Sequence, residues 1–519
     1  MLESPKIGAY VLETLTTGMY TNPLDSIREY VQNATDSLLE FEARSARRNE
    51  GRIDARIDPV KRTLVIKDNG TGIPSKDVPN RLINIGMSDK DLRHKAGFRG
   101  IGRLAGIAYC DRLTFRTAAV GEGIVSIVEI DCVSLRRSLA PAMRQVEELA
   151  EVMVRNCSLH QEPTSTDRHF FEVVIEGVKP EAEIFLDWKA LEDYLSQVAP
   201  VRFDAQRFLL ATKIKEWVEK NNVPLPTVTL VIETPDTCRE VFKPYRGHYK
   251  TKHVRGGNLD FQVKDVLFYP EMFRVDSPFW LWYARTDLLG TIEDEKSAGL
   301  RLRSKNIAIG GPERVAELFG EKASTDSRFN GWYIGEIHIL SPDAIPNARR
   351  DGFEETGAWP QIKAELVPFF RSRIHEIRQQ SDTRNQPTAK LVRGAQEAID
   401  EATQRLETGF ISKTQLDETI KQLEKNETSL QQAVQAKSGS KDAIELENLA
   451  RKVVKIKERL VCEANFVTQK LPSTLDRKQR KLVSEILQTL YEALDKENYA
   501  KAEKAICAKF SVRSSDLKT

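Results

Sequence analysis

The spacing of apolar residues changes once along this chain of 519 residues, and the change limits what each part can fold into. Beyond the polar stretch "SDTRNQPTAK", Ala395, Ile399, Ala402 and Leu406, then Leu416, Ile420, Leu423, Leu430 and Val434, follow mostly in steps of four and three. That repeat is the seam of a coiled coil or of a long helical hairpin. The "KSGSK" stretch near 437–441 reads as the turn between two such helices, and "LPSTLD" near 471–476 as the next break. Ahead of this module, helix-like stretches alternate with strand-like ones ("RIDARID", "TLVIKD", "RLTFRTA", "IVSIVEID", "FFEVVIEGV"), the pattern of a layered α/β or α+β domain. Further strand signals in "PLPTVTLVIE", "FWLWYARTD", "LRLRSKNIAIGG" and "GWYIGEIHIL" place a second α/β domain after the first. The expectation is an α+β chain of three parts, residues 1–180, 181–380 and 381–519. With 40% apolar and 30% charged residues, the chain can give each part its own core.

Within the first part, "DSIREYVQNATDS" (residues 25–37) reads as an amphipathic helix. At about 100° per residue, Ile27, Tyr30, Val31, Ala34 and Leu38 gather on one side, while Glu29, Asn33 and Asp36 form a narrow stripe opposite. Taken alone, such a stripe is a solvated face. A second signal is "VIKDNGTGIP" (65–74), in which an apolar strand runs into Asp68, Asn69, Gly70, Thr71 and Gly72. This is a hairpin turn signal. Alternatively, Asp68 is buried at the strand end, where its carboxylate accepts from an adenine amino group while Gly70 and Gly72 let the base approach the backbone. A third is "GFRGIGRLAGIA" (97–108), with Gly97, Gly100 and Gly102 ahead of a helix-capable stretch. Exposed backbone N–H groups there suit an anion, yet the spacing matches neither the dinucleotide fingerprint nor the Walker P-loop.

The three signals fall in order within about 80 residues, and together they resemble the GHKL ATPase superfamily, which includes DNA gyrase, the heat-shock protein 90 chaperones, histidine kinases and MutL. The resemblance covers residues 10–180. It implies the Bergerat ATP-binding fold, an α/β sandwich with a movable lid, and with it ATP and Mg²⁺. It also implies that Glu29 activates water for attack on the γ-phosphate, that Asn33 holds Mg²⁺, and that Asp68 reads adenine. Asp36 becomes a nearby polar support. A general base and a metal ligand one helical turn apart can face one triphosphate. The polar residue that the family carries on its last strand is Thr166, Ser165 or neither.

"MYTNPLDSIREYVQNATDS" looks most like the heat-shock protein 90 branch, whereas "GFRGIGRL" carries the Gly-Phe-Arg-Gly of MutL-like proteins. In the second part, "IHILSPDAIPNARRDGFEE" (337–355) resembles the middle-domain loop of the same chaperones. By position, Arg350 matches the arginine that reaches the γ-phosphate and Asn347 its neighbouring asparagine, with Arg349 an extra basic residue beside them. Lys305 is a second candidate, and the middle part is transducer-like. The resemblance thus implies a slow ATPase working as a chaperone-like clamp on a protein client; the C-terminal part, coiled-coil-like in pattern, departs from those chaperones' dimerisation domain, and the expected homodimer is held through residues 395–434 or the final helices. A nucleic-acid clamp of the MutL or MORC kind, or an ATP-gated switch for a partner enzyme, stands beside it. The 78 basic and 76 acidic residues nearly cancel, so net charge does not favour nucleic acid as the main partner. Six scattered cysteines without a CxxC pair argue against a disulfide scaffold and a zinc site and for a reducing compartment. With no run approaching a membrane span and no basic-then-apolar start, the expected setting is cytoplasmic, with no membrane partner.

Overall fold

The computed structural model describes residues 22–45, 51–84, 102–138, 148–252, 258–321, 323–385, 388–436, 441–466 and 477–509. Residues 1–374 make one compact unit and residues 375–519 a second.

The first unit opens with helix α1 (Leu24–Ser45). Its start is encoded locally: the Asn22 side chain accepts the Leu24 N–H at 3.1 Å, and Pro23 needs no hydrogen-bond donor in the first turn. Strands β1 (Arg52–Asp58), β2 (Thr63–Asp68), β3 (Arg112–Ala118) and β4 (Ile124–Asp131) follow, then helices α2 (Cys132–Ser138) and α3 (Leu149–Asn156). After β5 (Cys157–Pro163) and β6 (Phe170–Glu176) come α4 (Trp188–Val198), α5 (Ala211–Lys220), β7 (Thr229–Glu233) and β8 (Cys238–Glu240). These eight strands form one sheet in the order β5-β4-β3-β6-β2-β1-β7-β8. Every pairing is antiparallel except β1 with β7. The strands expected from alternation at 52–58, 63–68, 112–118, 124–131 and 170–176 are present. Strand β5 is an edge strand, exposed on both faces at Ser158–Pro163. Ile27, Tyr30, Val31, Ala34 and Leu38 of α1 pack with Ile53, Ala55, Leu64 and Ile66 of β1 and β2 in one core, as the apolar side of the helix requires.

A second sheet follows the short pair β9 (His248–Lys250) and β10 (Asp260–Gln262). It contains β11 (Asp265–Tyr269), β12 (Phe279–Arg285), β13 (Gly299–Ser304), β14 (Ile307–Ala308) and β15 (Ile334–Ile339), in the order β11-β12-β15-β13-β14. Helix α6 (Pro312–Phe319) precedes β15. Trp217 of α5 stacks on Trp280 of β12 at 4.9 Å and on Phe268 of β11 at 4.8 Å, which fastens that helix to the sheet. Glu336 of β15 lies at the centre of a buried polar cluster. Its Oε1 accepts from Lys243 at 2.7 Å, Tyr245 at 3.0 Å and Arg303 at 2.5 Å. Arg303 also donates to the Gln197 carbonyl of α4 at 2.8 Å, so the cluster ties the two sheets' elements together.

Helix α7 (Trp359–Asn385) spans the division between the units. The second unit contains α8 (Thr388–Thr408), α9 (Lys413–Ala436), α10 (Lys441–Glu463), α11 (Arg477–Ala493) and α12 (Lys496–Lys509). The 4,3 seam is filled within one chain: Ala395, Ile399, Ala402, Leu423 and Leu430 are buried against Leu446, Leu449, Val453 and Leu460 of α10. Helices α8, α9 and α10 therefore make a three-helix bundle. The inter-helix turn expected at 437–441 and the break at 471–476 lie mostly outside the described residues, and α9 and α10 end and begin on either side of the first. The fold is α+β, with a sheet-based N-terminal region and a helical C-terminal one.

Candidate functional site

Helix α1 places Glu29, Asn33 and Asp36 on one stripe, as expected, but the stripe is not a solvated face. Glu29 and Asp36 are buried and Asn33 is half-buried. What covers Glu29 comes from far along the chain: Arg350 Nε lies 3.0 Å from Glu29 Oε1, and both side chains are over nine-tenths buried. The neighbouring residues pair as well, with Arg28 Nη2 donating to the Arg349 carbonyl at 2.9 Å.

The loop after β15 holds Arg350 in place. Its φ of 54° lies in the left-handed region, which is uncommon for a residue with a side chain. Asn347 braces the turn, its Oδ1 accepting the Asp351 N–H at 3.2 Å and its Nδ2 donating to Asp351 Oδ1 at 2.6 Å. The Arg350 carbonyl takes the Gly310 N–H at 2.8 Å. Lys305, the other candidate cation, stands on the β13–β14 turn at φ 51°.

Asp68 ends β2 and is 2% exposed. No hairpin follows it; the chain runs on through short helical turns at Ser75–Asp77 and Pro79–Ile83. Asp68 Oδ1 accepts the Gly70 N–H at 2.9 Å. Burial pushes its carboxyl up to about 7, against the opposing pull of that N–H and of the Ser37 hydroxyl. The glycines are required by contact: a Cβ on Gly70 would stand 2.2 Å from Ser37 Oγ, and Gly72, at φ 65°, would stand 1.9 Å from the Ala118 carbonyl. Gly102 begins the short helical stretch Gly102–Ala108, where a Cβ would meet Glu29 Oε2 at 2.3 Å. Gly97 and Gly100 lie outside the described residues. Glu29 and Ser37 are eight residues apart on α1, roughly 12 Å along its axis. The buried acceptor Asp68 thus lies at one end of the helix stripe, and Glu29, Gly102 and Arg350 gather at the other.

Residues 21–158 match the family described as "Histidine kinase-, DNA gyrase B-, and HSP90-like ATPase". This part of the chain is a GHKL-type, HSP90-like ATPase domain. The "Chaperone protein HtpG" of Rhodococcus jostii (strain RHA1) is 27% identical over 133 residues, which are 22% of this chain and 21% of that protein. The chain therefore spans about a fifth of the length of that relative. Domains of this family bind ATP, usually with Mg²⁺. Among the described residues no helix is long and apolar enough to cross a membrane.

Four residues near this stripe escaped sequence reasoning. Thr166 and Ser165 both precede β6, and Thr166 packs beside Gly123, where a Cβ would lie 3.2 Å from its methyl. The residue across from Gly70 is instead His169, by continuation of the register that pairs Asp68 with Phe171. Its Nδ1 lies 2.7 Å from the Gly70 carbonyl, so that nitrogen carries the proton, and its ring stacks on Phe41 at 4.5 Å. Thr117 of β3 accepts the Ile73 N–H at 2.8 Å and steadies the same loop. Arg103 is buried with its guanidinium on the carbonyls of Leu82 and Asn84, and burial pulls it down to about 10. Tyr30 turns its hydroxyl into the Gly102–Ala108 stretch. A tyrosine on the packing side of a helix was the signal available for the last of these, because a buried phenol needs a partner.

Proposed function

We propose that this protein is a slow, Mg²⁺-dependent ATPase that works as a nucleotide-driven clamp on a protein client, with Glu29 as general base, Asn33 as metal ligand, Asp68 as adenine acceptor and Arg350 as the γ-phosphate contact. The observation that carries this reading is the Glu29–Arg350 contact, which brings an arginine from beyond the second sheet onto the carboxylate of the nucleotide helix. The residues suit the ligand. Asp68 is a buried carboxylate with acceptor capacity beyond the Gly70 N–H, and the backbone at Gly70 lies closer to Ser37 than a side chain would permit.

Glu29 would take the proton of the attacking water as that water's oxygen bonds to the γ-phosphorus. The bond from phosphorus to the bridging oxygen breaks in the same displacement, and ADP leaves with the electron pair. Arg350 must leave Glu29 for this to happen, because its guanidinium occupies the carboxylate oxygen that the attacking water has to reach. The γ-phosphate offers Arg350 an alternative anion, so binding and release of the base are one event. Mg²⁺, held by Asn33 together with phosphate oxygens and water, supplies charge neutralisation when bound. An arginine that changes anion with the nucleotide gives ATP a differential affinity for one arrangement of the two sheets, which a clamp requires. Asp36 supports this stripe from within the core, and the homodimer and the cytoplasmic setting belong to the same proposal.

Steady-state ATP hydrolysis with Mg²⁺, measured for wild type, Glu29→Ala and Arg350→Ala with ATP binding followed separately, tests the reading. The expected result is that wild type turns over ATP, Glu29→Ala binds it without turnover, and Arg350→Ala binds it with a lower kcat. Wild type that binds no ATP, or a Glu29→Ala variant with full activity, overturns it.

A further inference from the structure

We propose that Tyr30 is a positioning residue for the triphosphate, registering the backbone of residues 102–108 against the general base through its hydroxyl. The inference rests on the ATPase reading and extends it to a residue on the opposite side of the same helix.

Tyr30 follows Glu29 and is 2% exposed among the core side chains of α1. Its hydroxyl has both hydrogen-bonding roles filled by one short segment. It accepts the Gly106 N–H at 2.8 Å and donates to the Arg103 carbonyl at 3.0 Å. That segment, Gly102–Ala108, is a 3-10 stretch, a conformation with poorer internal hydrogen bonds than an α-helix and more dependent on outside support. A phenylalanine would fill the same volume and leave a buried N–H and a buried carbonyl without that partner.

The glycines show how close the approach is. A Cβ on Gly106 would stand 2.5 Å from the Tyr30 hydroxyl, and one on Gly102 would stand 2.3 Å from Glu29 Oε2. Two consecutive residues of α1 therefore meet two glycines four positions apart on the facing segment. Glu29 and the backbone that starts at Gly102 share a frame because one helical turn holds both. Backbone N–H groups bind phosphate only when their direction is fixed beforehand, so loss of the Tyr30 bridge acts on the phosphates, at the Glu29 end, and not on the base, at the Asp68 end.

The test is Tyr30→Phe in the full chain, with Gly106→Ala as a second variant that keeps the hydroxyl and displaces the segment from it. Three readings are taken: hydrogen exchange of the 102–108 amides without nucleotide, dissociation constants for Mg²⁺-ATP and for ADP, and kcat with KM. The expected result is faster exchange over 102–108 in both variants, ATP affinity weaker by about tenfold, ADP affinity changed by less, and a lower kcat, for a lost bridge of about 1–1.5 kcal/mol. Unchanged exchange, or equal losses for ATP and ADP, overturns the inference and leaves Tyr30 a core tyrosine. Wild type that binds no ATP overturns the ATPase reading itself, and the wild-type measurement distinguishes that result from a failure confined to the variants.

Discussion

Replacing Asp68 with asparagine should stabilise the nucleotide-free protein, and the gain should grow with pH. An ordinary aspartate titrates near 3.8, whereas burial holds the Asp68 carboxyl protonated up to about 7. Between those values the folded chain binds more protons than the unfolded one, so stability falls as pH rises through that window and levels off above it. The charged form is disfavoured in the fold by about 4 kcal/mol. Asparagine keeps the shape, its Oδ1 can accept the Gly70 N–H, and it never ionises. The same linkage puts the gain at about 2 kcal/mol at pH 5 and about 4 kcal/mol at pH 8. Urea unfolding followed by tryptophan fluorescence reads this in the first unit, because the six tryptophans all lie between residues 188 and 359. A gain that is equal at the two pH values, or a loss at pH 8, refutes the argument that burial raises this carboxyl. ATP binding should fall in the same variant, which would place the lost stability in the service of the site.

If ionised Asp68 reads the adenine amino group, the dissociation constant for adenosine should be flat above about pH 8 and rise toward tenfold per unit below about pH 6; a constant affinity across that range refutes the assignment. Gln32, on the same helix, is 1% exposed, and neither of its amide atoms meets a hydrogen-bond partner among the described residues. Gln32→Met should therefore raise nucleotide-free stability by about 1–3 kcal/mol, measured by the same unfolding titration, and a loss would show that the amide is engaged. In the second sheet, burial alone would raise Glu336, but Arg303 and Lys243 hold its carboxyl well below the usual range. Glu336→Gln should cost about 3–5 kcal/mol, since it leaves those cations buried without their charge partner, and an unchanged urea midpoint would refute that view of the cluster.

How far the sequence could be read depended on the range over which each feature is determined. The helix stripe at Glu29, Asn33 and Asp36 was legible because one helical period places it, and the strands with strict alternation were legible for the same reason. Strand β5 was not, since "CSLHQEP" is exposed on both faces at the sheet edge and carries no alternation to detect. The 4,3 seam was legible as a seam, but the same apolar spacing serves two chains or one, and only the packing of Leu446, Leu449 and Val453 against it shows that one chain fills it. Dimerisation, if it uses this module, must therefore use another face of it. The place of His169 was not legible, because nothing in "DRHFFEVV" reports that its partner is Gly70, a pairing that the register of β2 with β6 decides.

The cover over Glu29 shows the limit most clearly. Periodicity assigned that side of α1 to solvent, and it would have been solvated had the helix stood alone. It is buried because Arg350, 321 positions further along, brings a compensating charge. A carboxylate can be taken out of water at this site only with such a partner, so the burial of Glu29 and the position of the Arg350 loop are one fact. The strain of a left-handed arginine is consistent with this, because the surrounding Asn347 and Gly310 contacts must hold a conformation that the residue does not prefer. Glu29 and its cover therefore form a single device, which a ligand with a stronger claim on the guanidinium would separate.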